Sequence, residues 1–266
     1  SAIKLFSVAD EGKFQIKENI YYQEAFYDLE EKVKNKIAII CEDISARILI
    51  EQVLKLIGKD MYFHVEIFRG GAESILKSSV PIYAINNESK NNIYILLDGD
   101  KHCDSINTDE LLSNILTNEK ELANLNKNVY SGIDIPVYID GGKNGSRKDQ
   151  KCEHYILYLK FQKENVRYLP NKKIPEEIVL TSKYVKSRYT SILNKYLNIT
   201  ANNAKDILME IKNARLEDNI EYTFRSLTTE LILEYEENKK NDDISKLINV
   251  LQDMYKFDKK ALSATC

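Results

Sequence analysis

Ile93-Tyr94-Ile95-Leu96-Leu97-Asp98-Gly99-Asp100 is the stretch whose reading decides the fold. Its five apolar residues are rich in β-branched and aromatic types and end at a glycine turn. They predict a short strand buried on both faces, as in parallel sheets covered by helices. Two carboxylates stand one residue apart where that strand ends. In an open α/β sheet the carboxyl ends of the strands form the ligand crevice. Acids held close together there repel one another and lose solvation unless a cation joins them. Oxygen donors of this kind suit a hard ion, Mg²⁺ first. The competing reading is a polar turn after a core strand, since Asp and Gly are common turn residues.

Upstream, 36–40 (Lys36-Ile37-Ala38-Ile39-Ile40) reads as another buried strand, ending in Cys41-Glu42-Asp43. Residues 45–58 predict a helix with Ile48, Leu49, Val53 and Leu54 on its apolar face and Gly58 as its stop. A strand over 62–68 follows, then Arg69-Gly70-Gly71 and a helix over 72–78. Downstream come helical pieces over 109–116 and 119–125, a fourth strand over 135–139 (Ile135-Pro136-Val137-Tyr138-Ile139), and a helix over 151–160. Strands alternating with helices predict βαβ units and a mainly parallel sheet. Right-handed crossovers then bring the strand ends to one edge. Ahead of this region, 3–8 and 13–20 predict a β-hairpin and 21–34 a helix.

All nine glycines lie at or before Gly145. Glycine punctuates strands and turns, so its absence afterwards predicts helices. Four are expected, over 175–197, 202–214, 218–238 and 242–256, after a linker marked by Pro170 and Pro175. The fold class is therefore α/β: a mainly parallel sheet flanked by helices, followed by an all-helical C-terminal region. The expected divisions are 1–35, 36–165 and 166–266. Hydrophobic residues make up 43% and charged residues 30%, with a net charge of -3. That excludes a globally basic nucleic-acid binder but leaves room for a local basic groove. No stretch has the length of a membrane span or the layout of a signal peptide. Cys41, Cys103, Cys152 and Cys266 are widely spaced, which suggests reduced thiols and a cytoplasmic protein. The chain opens on Ser1-Ala2 without a Met, as expected of a processed chain or a domain from a longer one.

Three strand ends thus carry Glu42, Gly70-Gly71 and Asp98-Gly99-Asp100. A lone glutamate after one strand and a D-x-D after a later one resemble the Toprim domain of topoisomerases, primases and OLD-family nucleases. The resemblance covers roughly residues 36–160. Cys152-Glu153-His154-Tyr155 resembles the Glu-Asn-Tyr-like segment that opens a helix in Toprim domains of the OLD-like and related defence nucleases, with His154 where Asn is usual. The usual Val-Glu-Gly after the first strand is Cys41-Glu42-Asp43 here, and Asp43 reads as a helix cap. The resemblance implies metal-dependent phosphodiester chemistry. Asp98 and Asp100 with Glu42 can hold Mg²⁺ or Mn²⁺ through oxygens. With Glu153 the implied set holds two ions ~3.5–4 Å apart.

Gly70 and Gly71 let the backbone approach a phosphate. Lys143, Arg147, Lys148 and Lys151 form a basic cluster that can contact nucleic acid or offset transition-state charge, with Lys143 the candidate catalytic lysine. The alternative for that cluster is a solvated loop face. His102-Cys103 and Cys152-x-His154 lack structural-zinc spacing. Cys41 reads as a buried strand end and His64 as structural. Gly141-Gly142-Lys143-Asn144-Gly145-Ser146 lacks the Walker A spacing, so an ATPase is expected as a partner or fused domain, with residues 1–35 as its contact or linker. The C-terminal helices can shape a substrate groove, form a homodimer or dock on that ATPase. The expected function is a Toprim nuclease, Mg²⁺- or Mn²⁺-dependent, acting on DNA or RNA as the effector of an ATPase-regulated antiviral system. The alternative is a catalytically degenerate Toprim-like module that binds a partner. A receiver-type phosphoacceptor at Asp98 fits poorly, because receivers are shorter and lack such a helical extension.

Overall fold

The computed structural model describes residues 3–8, 14–20, 36–68, 70–85, 92–102, 118–139 and 147–264. The chain forms two compact units, Ser1–Lys36 and Ile37–Cys266. In the first, β1 (Ile3–Val8) pairs antiparallel with β2 (Phe14–Ile20), the expected hairpin. The helices expected over 21–34 and 109–116 lie outside the described residues.

In the second unit the order is β3 (Ile37–Cys41), α1 (Ile44–Leu56), β4 (Phe63–Ile67), α2 (Gly71–Ile85), β5 (Ile93–Leu97), α3 (Glu119–Val129), α4 (Arg147–Asn165) and β6 (Val166–Tyr168). The sheet runs β4-β3-β5-β6 with every pair parallel, as the alternation of strands and helices predicts. Residue parity sends side chains to opposite faces. Ile37, Ile39, Cys41, Phe63, Val65, Tyr94 and Leu96 share a core with Ile48, Leu49 and Val53 of α1. Ile40, Ile95 and Leu97 face the other way, onto Ile75, Leu76 and Val80 of α2 and onto Tyr158 and Phe161 of α4. The chain steps from β3 outward to β4, then back across β3 to β5. With right-handed crossovers those opposite steps put α1 and α2 on opposite faces.

The fourth strand is not the expected one. Residues 133–139 form no ladder, and Val166–Tyr168 pairs with β5 instead, Ile95 opposite Val166. Pro136 has no N–H to give a ladder, which disfavours a central strand there. Ile135 is buried all the same, and Tyr158 Oη donates to Pro136 O at 3.1 Å. α2 runs to Ile85, past the expected end at 78, with Pro81 inside it.

Beyond β6, the single helix expected over 175–197 is three short ones: α5 (Pro175–Val179), α6 (Lys183–Arg188) and α7 (Thr190–Leu193). Ser182 makes the first break: it N-caps α6, and its hydroxyl donates to Glu234 Oε2 at 2.8 Å. α8 (Ala201–Ala214), α9 (Ile220–Asn238) and α10 (Asp242–Ala264) follow. These helices do not build a core of their own. Ile178, Ile207, Phe224, Leu227, Leu231, Leu247 and Leu251 join the cluster on the α1 face of the sheet. Tyr94 Oη, on β5, donates to Met254 O on α10 at 3.4 Å. The division expected between 165 and 166 therefore falls inside the second unit. Among the described residues, no helix is long and apolar enough to cross a membrane.

Candidate functional site

β3 and β5 are hydrogen-bonded neighbours, Cys41 opposite Leu96. The chain leaves β3 toward β4, whereas β5 is followed on its other side by β6. A crevice opens at the carboxyl ends of such a strand pair. Glu42 and Asp98 stand there.

Glu42 joins three elements. Its Oε1 accepts from Asp98 N at 2.9 Å and its Oε2 from Ala72 N at 3.0 Å. Ala72 lies in the first turn of α2, whose dipole favours an anion. The turn into that helix requires glycine. Gly70 has φ +131 and Gly71 φ +72, and a Cβ on Gly70 would meet Ser74 Cβ at 2.7 Å. The Gly70-Gly71 pair thus seats the Glu42 carboxylate.

Asp98 spends its N–H on Glu42, and its Oδ1 is buried without a hydrogen-bond partner. Burial first, then the charges of Glu42, Asp43, Glu176 and Asp100, push its carboxyl up to about 8. Gly99 is pressed against the chain that follows β6. Its N–H donates to Lys173 O at 2.9 Å, and a Cβ there would lie 2.5 Å from Lys173 N and 2.7 Å from Leu169 O. Asp100 is on the outer side of the turn, with Oδ2 2.8 Å from Lys101 Nζ and its side chain 35% exposed. Asp43 caps α1 as expected, accepting from Ala46 N at 2.9 Å, and its other oxygen is 3.8 Å from Lys205 Nζ.

The structure adds an acid that the sequence reading missed. Glu176, in the first turn of α5, is 3% exposed, and its Oε2 has no hydrogen-bond partner. Burial is the main cause raising its carboxyl. Lys205 and the Ser45 hydroxyl act against that, and Asp43 adds to it. In the sequence, Pro175-Glu176-Glu177 is an ordinary helix start, and Glu177 does make the capping contact, accepting from Ile174 N at 3.0 Å. Nothing in the spacing signals that Glu176 turns inward.

Glu153, by contrast, is exposed on α4. Lys151 pairs with Glu119 at 2.8 Å, and Lys148 is exposed. Arg147 begins α4, but its side chain lies outside the described residues, as do Arg69, Cys103 and all of Lys143. The described thiols, Cys41 and Cys152, are not placed as ligands. Cys41 donates to Glu66 O at 3.3 Å and burial pushes it up to about 12, while Cys152 sits in the core beneath α2. His64 is exposed against Glu66 at 2.9 Å.

Glu42, Asp43, Asp98, Asp100 and Glu176 therefore gather near Lys101 and Lys205. Among the described residues, no three Asp, Glu, His or Cys side chains close into a ready-made metal cage. Mg²⁺ and Mn²⁺ do not require one: Mg²⁺ keeps several waters and takes one or two carboxylates plus substrate phosphate. An unpartnered Asp98 oxygen in a crevice of carboxylates fits such an ion. No protein-family model matches the chain, and neither a curated protein nor a solved structure matches it.

Proposed function

We propose that this chain is a metal-dependent nuclease of the Toprim kind, hydrolysing phosphodiester bonds in DNA or RNA with Mg²⁺ or Mn²⁺. One observation carries the reading: Glu42 and Asp98 meet at the ends of adjacent parallel strands, with Asp98 Oδ1 buried and unpartnered. A cation bound there would act as a Lewis acid on a phosphate oxygen and lower the pKa of a bound water. Asp98 presents the free oxygen. Glu42 fixes the main chain of Asp98 and keeps a lone pair on each of its own oxygens for the ion. Asp100, already half out of the crevice, exchanges Lys101 for the ion. Lys143, ahead of α4, and Arg147 and Lys148, in its first turn, supply positive charge to the nucleic-acid backbone, and Gly70-Gly71 offer a close main-chain approach. Glu153, exposed on α4, is the weakest member of the set. With no Walker A segment in the sequence, ATP would act through a partner or fused ATPase, in a cytoplasmic antiviral system.

The test is cleavage of plasmid DNA and of transfer RNA with Mg²⁺ or Mn²⁺, comparing wild type with Glu42→Ala and Asp98→Ala. Each substitution is expected to lower cleavage by at least ~10²-fold, the scale of removing one charge-stabilising group. Activity that persists equally in both variants places the chemistry elsewhere. A second reading, a degenerate module that binds a partner, is favoured by the exposed position of Glu153 and by Asp100 being held to Lys101. No heat of Mg²⁺ or Mn²⁺ binding in calorimetry would decide for it.

A further inference from the structure

We propose that Glu176, from the helical region rather than the sheet, is a further carboxylate that holds the cation at Asp98. The inference rests on the metal reading of the crevice and changes its composition: the partner of Asp98 is Glu176, in place of Glu153.

Three carboxylate oxygens among the described residues are buried without a hydrogen bond: Asp98 Oδ1, Glu176 Oε2 and Glu230 Oε2. Glu230 has its charge balanced, because its other oxygen pairs with Arg188 and lies 3.9 Å from Arg215. Among the described residues, no guanidinium is paired with Asp98 or Glu176. Glu176 raises the carboxyl of Asp98, and Asp43 acts on both. The described cations facing them are lysines: Lys101 is held by Asp100, and Lys205 stands 3.8 Å from Asp43. A buried carboxylate without a partner is costly, and two in one place cost more.

Local chain geometry brings the two together. Leu169 N donates to Leu97 O at 2.8 Å, extending the sheet past β6. Gly99 N then donates to Lys173 O, so the residue after Asp98 is clamped to a point three residues before Glu176. The Ser45 hydroxyl, two residues past the Asp43 cap, acts on the Glu176 carboxyl to lower it. Ile178 and Val179 anchor the rest of α5 in the core. The arrangement holds Glu176 inward, in the crevice, with one oxygen uncommitted. Asp98 Oδ1 and Glu176 Oε2 can bind one divalent cation directly or through a water, and two carboxylates are the usual protein share for Mg²⁺.

The experiment is Mn²⁺ titration by calorimetry on the full chain at neutral pH, for wild type, Asp98→Asn, Glu176→Gln and Glu153→Gln. Metal-free thermal melts serve as the folding control. Glu176→Gln is expected to weaken Mn²⁺ binding by about 10–100-fold, the scale seen when a supporting metal-site group is removed. It should melt no lower than wild type, because it loses an uncompensated charge. Glu153→Gln should bind as wild type does, and Asp98→Asn should bind no Mn²⁺. If Glu176→Gln misfolds, Glu176→Asp replaces it, with the charge kept but the reach shortened, and is also expected to bind more weakly. Wild-type affinity in a folded Glu176 variant, with binding lost in Asp98→Asn, overturns the role of Glu176 and leaves the metal reading standing. No Mn²⁺ uptake by the wild-type protein overturns both.

Discussion

At Asp98 the chain holds a carboxylic acid in a place that penalises its ionised form. Burial and four neighbouring acids raise its carboxyl from the ordinary 3.8 to about 8. Between those values the folded state keeps a proton that the unfolded state has released. Stability therefore falls as pH rises through that window and is fullest below it. Glu176 is shifted in the same direction. The metal-free protein should thus melt at progressively lower temperature from about pH 5 to about pH 8. Asp98→Asn should flatten the slope, and added Mg²⁺ or Mn²⁺ should restore the melting temperature at the alkaline end by binding only the native state. Melts in a chelator across that pH series check the sign. A melting temperature that climbs with pH in the wild type and not in the variant would refute this account of Asp98. That Glu42 and Asp98 stand at the ends of neighbouring strands was legible beforehand, because a residue just past a buried parallel strand reaches the same sheet edge. Glu176 was not legible: its inward aim depends on a backbone bond between Gly99 and Lys173, which no periodicity encodes.

Among elements, the turn Asp98-Gly99-Asp100 is shaped from outside itself. Its glycine is required not for a left-handed φ but for closeness, since a methyl group would meet the 169–173 backbone at 2.5–2.7 Å. Main-chain atoms cannot step aside as a flexible side chain can. Gly99→Ala should therefore cost roughly 1–3 kcal/mol, the range for overpacking a tight contact. In a unit of this size that lowers the melting temperature by about 2–4 °C for each kcal/mol. It should also weaken Mn²⁺ binding, because pushing the turn off 169–173 separates Asp98 from α5. A variant that melts and binds as wild type does would mean that the turn and α5 are not coupled. β5 itself was readable to the residue, because its five apolar residues admit only a doubly covered strand. β6 was not. Three residues, Val166-Arg167-Tyr168, carry too little pattern, whereas Ile135–Ile139 looks stronger until the missing N–H of Pro136 is counted.

On the scale of the whole molecule, the helical region does more than extend the sheet's domain. The α1 face of the sheet is closed by α1 and by residues from α5 through α10 in one continuous core. The α2 face is closed by α2, α3 and α4. Glycine usage marked where strands give way to helices except for the three residues of β6, since composition follows local structure. It could not mark a domain boundary, because shared burial is a property of packing. A fragment of residues 37–165 would keep α1, α2 and three strands but lose β6 and much of the cover over Tyr94, Phe63 and Val65. It would also lose Leu169 and Lys173, which bind the strand end and the Asp98 turn. Burial of apolar surface is the main favourable term in folding, so this fragment is expected to lack a cooperative melt and to be digested rapidly by protease. Residues 37–266 should melt in one transition, because one core spans both halves. Circular dichroism melts and limited proteolysis of the two fragments check this. A protease-resistant, cooperatively melting 37–165 would show that the sheet stands without the helices, and it would remove the structural ground for an active crevice built jointly from β3, β5 and α5.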